Sequence, residues 1–357
     1  VFVALRDLRF ARGRFALMGV VVTLLATLVV FLHGLTEGLA RDSSSAVAGL
    51  PADRIAFGAP GGAEPEVSFS DSTVSAEQVR GWTAADGVRA AEPLGVAMTR
   101  LTVRAGAGSV SLFGGPPALL PRLTEGTAPG RGEAAVSAAV AGTYGLTVGD
   151  RVRLGTRGLT VSGVTEDRAH AHAPTVWTDL PTWHTVSGHE RPTVLALTLA
   201  SGADVPAVDA RLATATVPTG DAVEGIASHA AEQGSLRLVQ GCLFVVAALV
   251  TGAFFTVWTV QRRPEIAVLK AVGASSGYLV RDALAQALVL LLGGTLLGAG
   301  LALAGGLVAV RGVPFVLDVR TAGPPVAAMV VLGLAGAGLA VRRITSVDPL
   351  TALGAGR

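Results

Sequence analysis

The stretch Gln261-Arg-Arg-Pro-Glu-Ile-Ala-Val-Leu-Lys-Ala-Val-Gly-Ala-Ser275 interrupts a hydrophobic sequence with four charges, Arg262, Arg263, Glu265 and Lys270. Long apolar runs flank it, Leu238 to Val260 before and Ala283 to Val310 after. Pro264 suits the first turn of a helix, where its missing N–H is not needed, and Glu265 complements the positive end of the helix dipole. Ile266, Leu269 and Val272 fall close to one face, and Gly273 is placed to end the helix. Such a helix is too short to cross a bilayer, yet the runs beside it are long enough. The stretch therefore reads as a short helix at the membrane surface, offering apolar side chains to a groove in another protein.

Working outward, the 357 residues are 50% hydrophobic and 15% charged, with mean hydropathy +0.56. An average soluble domain has roughly 25% charged residues. Four windows approach or exceed the length needed to span about 30 Å of hydrocarbon: residues 15–35, 238–260, 283–310 and 324–341. Between the first and second lies a polar segment, 36–237, that reads as an aqueous domain. Basic residues are retained on the cytoplasmic side. They gather in the leader 1–14 (Arg6, Arg9, Arg12, Arg14), in the loop 261–282 (Arg262, Arg263, Lys270, Arg281) and in the tail 342–357 (Arg342, Arg343, Arg357). The loop 311–323 has only Arg311 and Arg320. This distribution puts both termini and the 261–282 loop in the cytoplasm and the 36–237 domain outside. The run Phe15 to Leu35 lacks a convincing small-residue cleavage site and reads as a retained anchor. The net charge of +2 is explained by topology and does not imply nucleic-acid binding. The single cysteine, Cys242, lies in the second window and forms no disulfide within the chain.

The outward segment reads as mixed α/β. Ser75-Ala-Glu-Gln78 resembles a capping box opening a short helix to about Trp82, and 98–103, 150–154 and 159–164 have strand character. Glycine- and proline-rich stretches place a boundary between two lobes near 114–121. In the third window Gly294, Gly298, Ala302 and Gly306 recur every fourth residue, a small-residue stripe suited to close helix contact in lipid.

Several motifs exclude more than they assign. A phosphate-binding loop needs Gly-x4-Gly-Lys-Ser/Thr, and the one lysine, Lys270, has no such surroundings. Gly273-Ala-Ser-Ser-Gly277 has the Gly-x-Ser-x-Gly spacing of a nucleophile elbow but joins two helices, so Gly273 is read as a helix end and Ser275 or Ser276 as the next cap. His170, His172, His184 and His189 with Glu190 follow no recognised metal-ligand spacing and read as a solvated histidine loop. His33 and Glu37, four residues apart at the outer end of the first span, share a helix face. An ionisable pair there must face water, a partner or a ligand.

The coupling stretch, with its Arg-x-x-Glu-Ile-Ala-hydrophobic-Leu-Lys-Ala-hydrophobic-Gly-Ala pattern, resembles the cytoplasmic segment of FtsX/MacB-type ABC transporter permeases. The stretches 136–154 and 161–167 resemble that family's outward domain, and 347–353 its cytoplasmic tail. The fold implied is a membrane protein of four transmembrane α-helices with a large extracytoplasmic mixed α/β, MacB-like domain between helices 1 and 2. GLTEGL (34–39) and AEQGSL (231–236) are similar to the haem-exporting HrtB branch. The resemblance implies a multi-pass permease of a bacterial cell membrane, acting as a homodimer with two copies of a separate ABC ATPase. ATP-Mg would be bound by that partner, with no enzymatic site and no intrinsic cofactor in the permease. Pro264, Glu265, Ile266, Leu269, Lys270 and Gly273 would couple to the ATPase. Haem is the first expected substrate, with His33 and Glu37 as iron ligands brought together by a two-fold axis. Alternatives are a lipid, hydrophobic drug or peptide, or an FtsX-like mechanical transmitter docking an extracytoplasmic partner through a patch such as Trp82, Trp177 and Trp183.

Overall fold

The computed structural model describes residues 12–261, 268, 272–309, 315–316 and 318–345. Four long helices dominate the membrane part: α1 (Arg12–Ala48), α6 (Ala227–Gln261), α7 (Ser276–Ala309) and α8 (Val319–Thr345). Each contains a segment long and apolar enough to span a bilayer. Between α1 and α6 come eleven strands and four short helices, α2 (Ala76–Thr83), α3 (Ala138–Tyr144), α4 (Leu180–Ser187) and α5 (Val205–Leu212). The chain divides into two compact units, residues 1–38 with 235–357 and residues 39–234.

In the membrane unit, the small-residue stripe of α7 meets α1. A methyl on Gly294 would lie 2.7 Å from Val22 Cγ1, and one on Gly298 2.6 Å from both Ala26 Cβ and the Thr23 carbonyl. Both approaches are too close for any side chain, so glycine sets the distance between these helices. On α8, Gly333 receives Leu291 of α7 and Gly336 packs against Ala248 and Gly252 of α6. Met18, Val22, Phe255, Trp258, Leu290, Leu291 and Ala337 form the buried centre. Leu17, Val20, Leu24 and Leu28 of α1 are at least half exposed, as side chains that face lipid would be.

The second unit is built on one sheet, ordered β11-β1-β10-β2-β3-β9-β5-β7-β4, with β6 bridging β2 and β7. The strands are β1 (Arg54–Phe57), β2 (Val88–Val103), β3 (Gly106–Gly114), β4 (Leu123–Gly126), β5 (Glu133–Ser137), β6 (Arg151–Leu154), β7 (Arg157–Thr165), β8 (Ala169–His170), β9 (Ala173–Thr178), β10 (Val194–Leu199) and β11 (Ala215–Pro218). The expected lobe boundary at 114–121 is not where the sheet divides. β2 pairs with β10 through Val88 to Leu94 and with β3 through Gly95 to Val103, so a single strand serves both ends of the sheet. One end is therefore assembled from the start and finish of the domain, a discontinuity that local glycine and proline content does not signal. At the changeover Gly95 pairs with Gly114, and Trp183 lies across both, where a Cβ would come within 2.3 Å and 2.1 Å of its atoms. The helix at Ser75 forms with the full capping box: Ser75 Oγ accepts from the Gln78 N–H, and Gln78 Oε1 from the Ser75 N–H. Trp82, Trp177 and Trp183 are all at most 1% exposed, so the tryptophan docking patch entertained from the sequence is core instead.

Candidate functional site

Residues 33–37 of α1 place a cluster of polar groups in the membrane unit. His33 and Glu37 are half-buried and lie on the stripe that begins with Val22, Ala26 and Val30, in steps of four, four, three and four residues. That stripe is the bundle-facing one, opposite the exposed leucines. Between the pair, Thr36 is buried, donates its hydroxyl to the Leu32 carbonyl at 2.8 Å, and accepts from Gln240 Nε2 of α6 at 3.0 Å. Gly34 accepts from the Val316 N–H at 3.0 Å. Phe315 lies against both Gly34 and Gly306 of α7, with its ring 5.0 Å from that of Phe31 and tilted by 35°. The hexamer Gly34 to Leu39 thus combines a glycine that admits an aromatic ring, a threonine tied to α6, and the ionisable Glu37. Sequence reasoning singled out His33 and Glu37 on this face and did not single out Thr36, Gln240 and Phe315, which the structure places around them. The only signal for them was a hydroxyl and an amide within otherwise apolar helices.

Of the coupling residues, Pro264, Glu265, Ile266, Leu269 and Lys270 lie outside the described residues. Gly273 has φ +104°, a conformation that favours glycine, and just before it the Val272 N–H donates to the Val268 carbonyl at 3.0 Å. Ser275 Oγ then accepts from the Tyr278 N–H at 3.2 Å, capping α7. Gly273 to Gly277 is a helix-to-helix junction rather than a nucleophile elbow. Val268 and Val272 are 62% and 83% exposed, so apolar surface is available beside the junction.

The histidines separate into different environments. His170 is not solvated: it is 5% exposed, with the rings of Phe69 and Phe113 each 5.5 Å away and edge-on. Burial lowers its pKa from 6.5 to about 4. His184 Nδ1 lies 2.6 Å from the His189 carbonyl, and His189 stacks on Trp183. His172 stands at the tip of the β8–β9 hairpin, where both loop residues have positive φ, Ala171 at 49° and His172 at 60°. Two-residue hairpins demand that geometry and usually supply it with Asn-Gly or similar pairs. Here the tip is held from outside the hairpin. The Ala171 N–H donates to the Ser43 carbonyl at 2.8 Å, and His172 Nδ1 and Nε2 lie 3.2 Å from Asp42 Oδ2 and 3.0 Å from Glu232 Oε2. Beside them Ser43 Oγ and His229 Nδ1 are buried 2.6 Å apart. Both ring nitrogens of His172 donate to carboxylates only if each carries a proton. Among the described residues no group of three or more His, Cys, Asp or Glu side chains is arranged to hold a metal ion.

Two family models match adjoining parts of the chain: the MacB-like periplasmic core domain over residues 15–215 and the FtsX-like permease C-terminal over residues 238–349. A relative from Staphylococcus haemolyticus bearing the name hemin transport system permease protein HrtB is 26% identical over 364 residues, covering 98% of each chain. An uncharacterized ABC transporter permease of Mycobacterium tuberculosis is 27% identical over 360 residues, covering 99% of each. Among solved structures, the extracellular domain of the ABC-type transporter YknZ matches 46% of this chain and all of its own, at 14% identity and TM-score 0.38.

Proposed function

The chain belongs to the FtsX/MacB-type ABC transporter permeases, and on that premise we propose that it is the membrane subunit of an efflux transporter that exports haem. A permease of this kind works with an ATPase component, and the chain's one lysine sits outside any phosphate-binding loop. Hydrolysis is assigned to the partner, with Pro264, Glu265, Ile266, Leu269, Lys270 and Gly273 as the docking segment. Two permeases and two ATPases complete the assembly.

The observation that carries the haem reading is the composition of the outer end of α1. Glu37 and His33 offer an oxygen and a nitrogen to an iron ion one helical turn apart, beside apolar and aromatic groups suited to a flat macrocycle. Likeness to the HrtB-named relative supports the same choice. In this reading haem enters from the outer leaflet and is an amphipathic substrate, not a resident cofactor. Binding by the purified permease should give a Soret band that moves or weakens in Glu37→Ala and His33→Ala. Alanine keeps the helix while removing the ligand atoms. A band identical in position and affinity across wild type, both single variants and the double variant would exclude the pair. A wild-type permease that takes up no haem would instead point to another amphipathic substrate.

A further inference from the structure

A second cluster lies in the α/β unit and is independent of the haem reading. On β6 the exposed Arg151 and Arg153 alternate with buried Val152 and Leu154, and Arg157 opens β7. Arg131 precedes β5, where the Gly132 carbonyl accepts from the Thr160 N–H of β7 at 3.2 Å. Through this connection Arg131 and Arg157 reach the rim of one cavity of about 260 Å³, whose wall also includes Thr182 and Thr185 of α4. Thr182 Oγ1 accepts from the Gly132 N–H at 2.9 Å, which leaves its own O–H available to donate.

The acids nearby are engaged elsewhere. Asp179 Oδ1 accepts from the Thr182 N–H at 2.9 Å as a helix cap, and Glu133 Oε2 accepts from the Gly130 N–H at 3.0 Å. Asp150 accepts from the N–H and hydroxyl of Thr147, and these bonds hold its carboxyl below the usual value. Neither Arg131 nor Arg157 has an ion partner among the described residues. Two permanently charged groups that share one opening repel each other until an anion arrives. The cavity is smaller than the roughly 300 Å³ at which ordinary ligand pockets begin, so it suits one charged group rather than a whole substrate.

We propose that Arg131 and Arg157 form a phosphoryl-binding site on the α/β domain. A phosphoryl group has several oxygens to meet two planar guanidinium forks, and its negative charge complements their two positive ones. The group could belong to a small phosphate or to a phosphate polymer, and the two differ in how they bind. The test is calorimetric titration of the full-length permease in detergent at low ionic strength, with inorganic phosphate, short-chain polyphosphate and citrate as probes.

Phosphate should bind at one site per chain, and the Arg131→Gln/Arg157→Gln variant should lose at least about tenfold in affinity. Arg157→Lys, which keeps the charge but not the fork, should also weaken binding. Arg104→Gln, on the β2–β3 turn, should change nothing. Polyphosphate binding much tighter than phosphate through the same arginines would identify a polymer, and equal affinity a free group. No phosphate or polyphosphate binding, equal losses in the double variant and in Arg104→Gln, or citrate binding as well as phosphate would each overturn the assignment. Thermal melts of the variants should match wild type, since the substituted side chains are exposed.

Discussion

His170 shows how one buried side chain writes a pH dependence into the α/β domain. Its folded pKa is about 4, against 6.5 ordinarily, because burial penalises the charged form. Between those values the unfolded chain binds more protons than the folded one, so stability falls as pH drops through this window and is fully present above about 6.5. His170→Leu should flatten the stability profile of the permease between pH 6.5 and 4, removing a loss on the order of 3 kcal/mol. An unchanged pH profile in a melt series would show that other groups dominate. The sequence could not disclose this, because a histidine four positions from Glu166 in a polar stretch gives no sign that two phenylalanines far along the chain enclose it. His33 and Glu37 were legible for the opposite reason, since polar groups inside an apolar run stand out by contrast.

At the scale of elements, the α1–α7 contact and the β8–β9 hairpin make opposite demands. The α7 stripe was readable from its spacing alone, because four small residues at every fourth position have few other uses in lipid. Gly298→Val would force a side chain into Ala26 and the Thr23 carbonyl. Overpacking of this kind costs about 1–3 kcal/mol, and a lower melting temperature with altered α1 protection in hydrogen exchange should follow. The hairpin was not readable, because Ala171 and His172 are poor residues for a positive-φ turn and their conformation depends on Asp42, Ser43 and Glu232. His172→Ala should raise exchange at residues 169–174 severalfold, while the centre of the sheet stays protected. His172→Gly loses the same contacts with Asp42 and Glu232 but relieves the backbone, so it should exchange more slowly than His172→Ala. Equal exchange in both would show that backbone strain is not stored there.

For the whole molecule, hydropathy located all four membrane helices, and strand-like patterns at 98–103 and 159–164 fell within β2 and β7. The order of the strands was hidden, because pairing of β1 with both β10 and β11 joins residues separated by most of the domain. Two expectations belong to this scale. Reporter fusions at residues 14, 270 and 357 should report cytoplasm and those at 130 and 316 the outside; an outside signal at 270 would break the four-span arrangement. Glu265→Arg and Leu269→Arg should abolish stimulation of the partner ATPase while leaving the permease inserted, and unchanged stimulation in both would remove the docking role from that segment.

The pairing of β1 with β11 has a consequence for ancestry. Arg54 sits opposite Pro218, so the first and last strands of the domain are neighbours in the sheet. A domain whose ends meet can be inserted between two helices, or removed from between them, without pulling apart the elements it interrupts. Lineages could then exchange the whole domain as a cassette, diversifying what is met outside the membrane while keeping the helices that cross it.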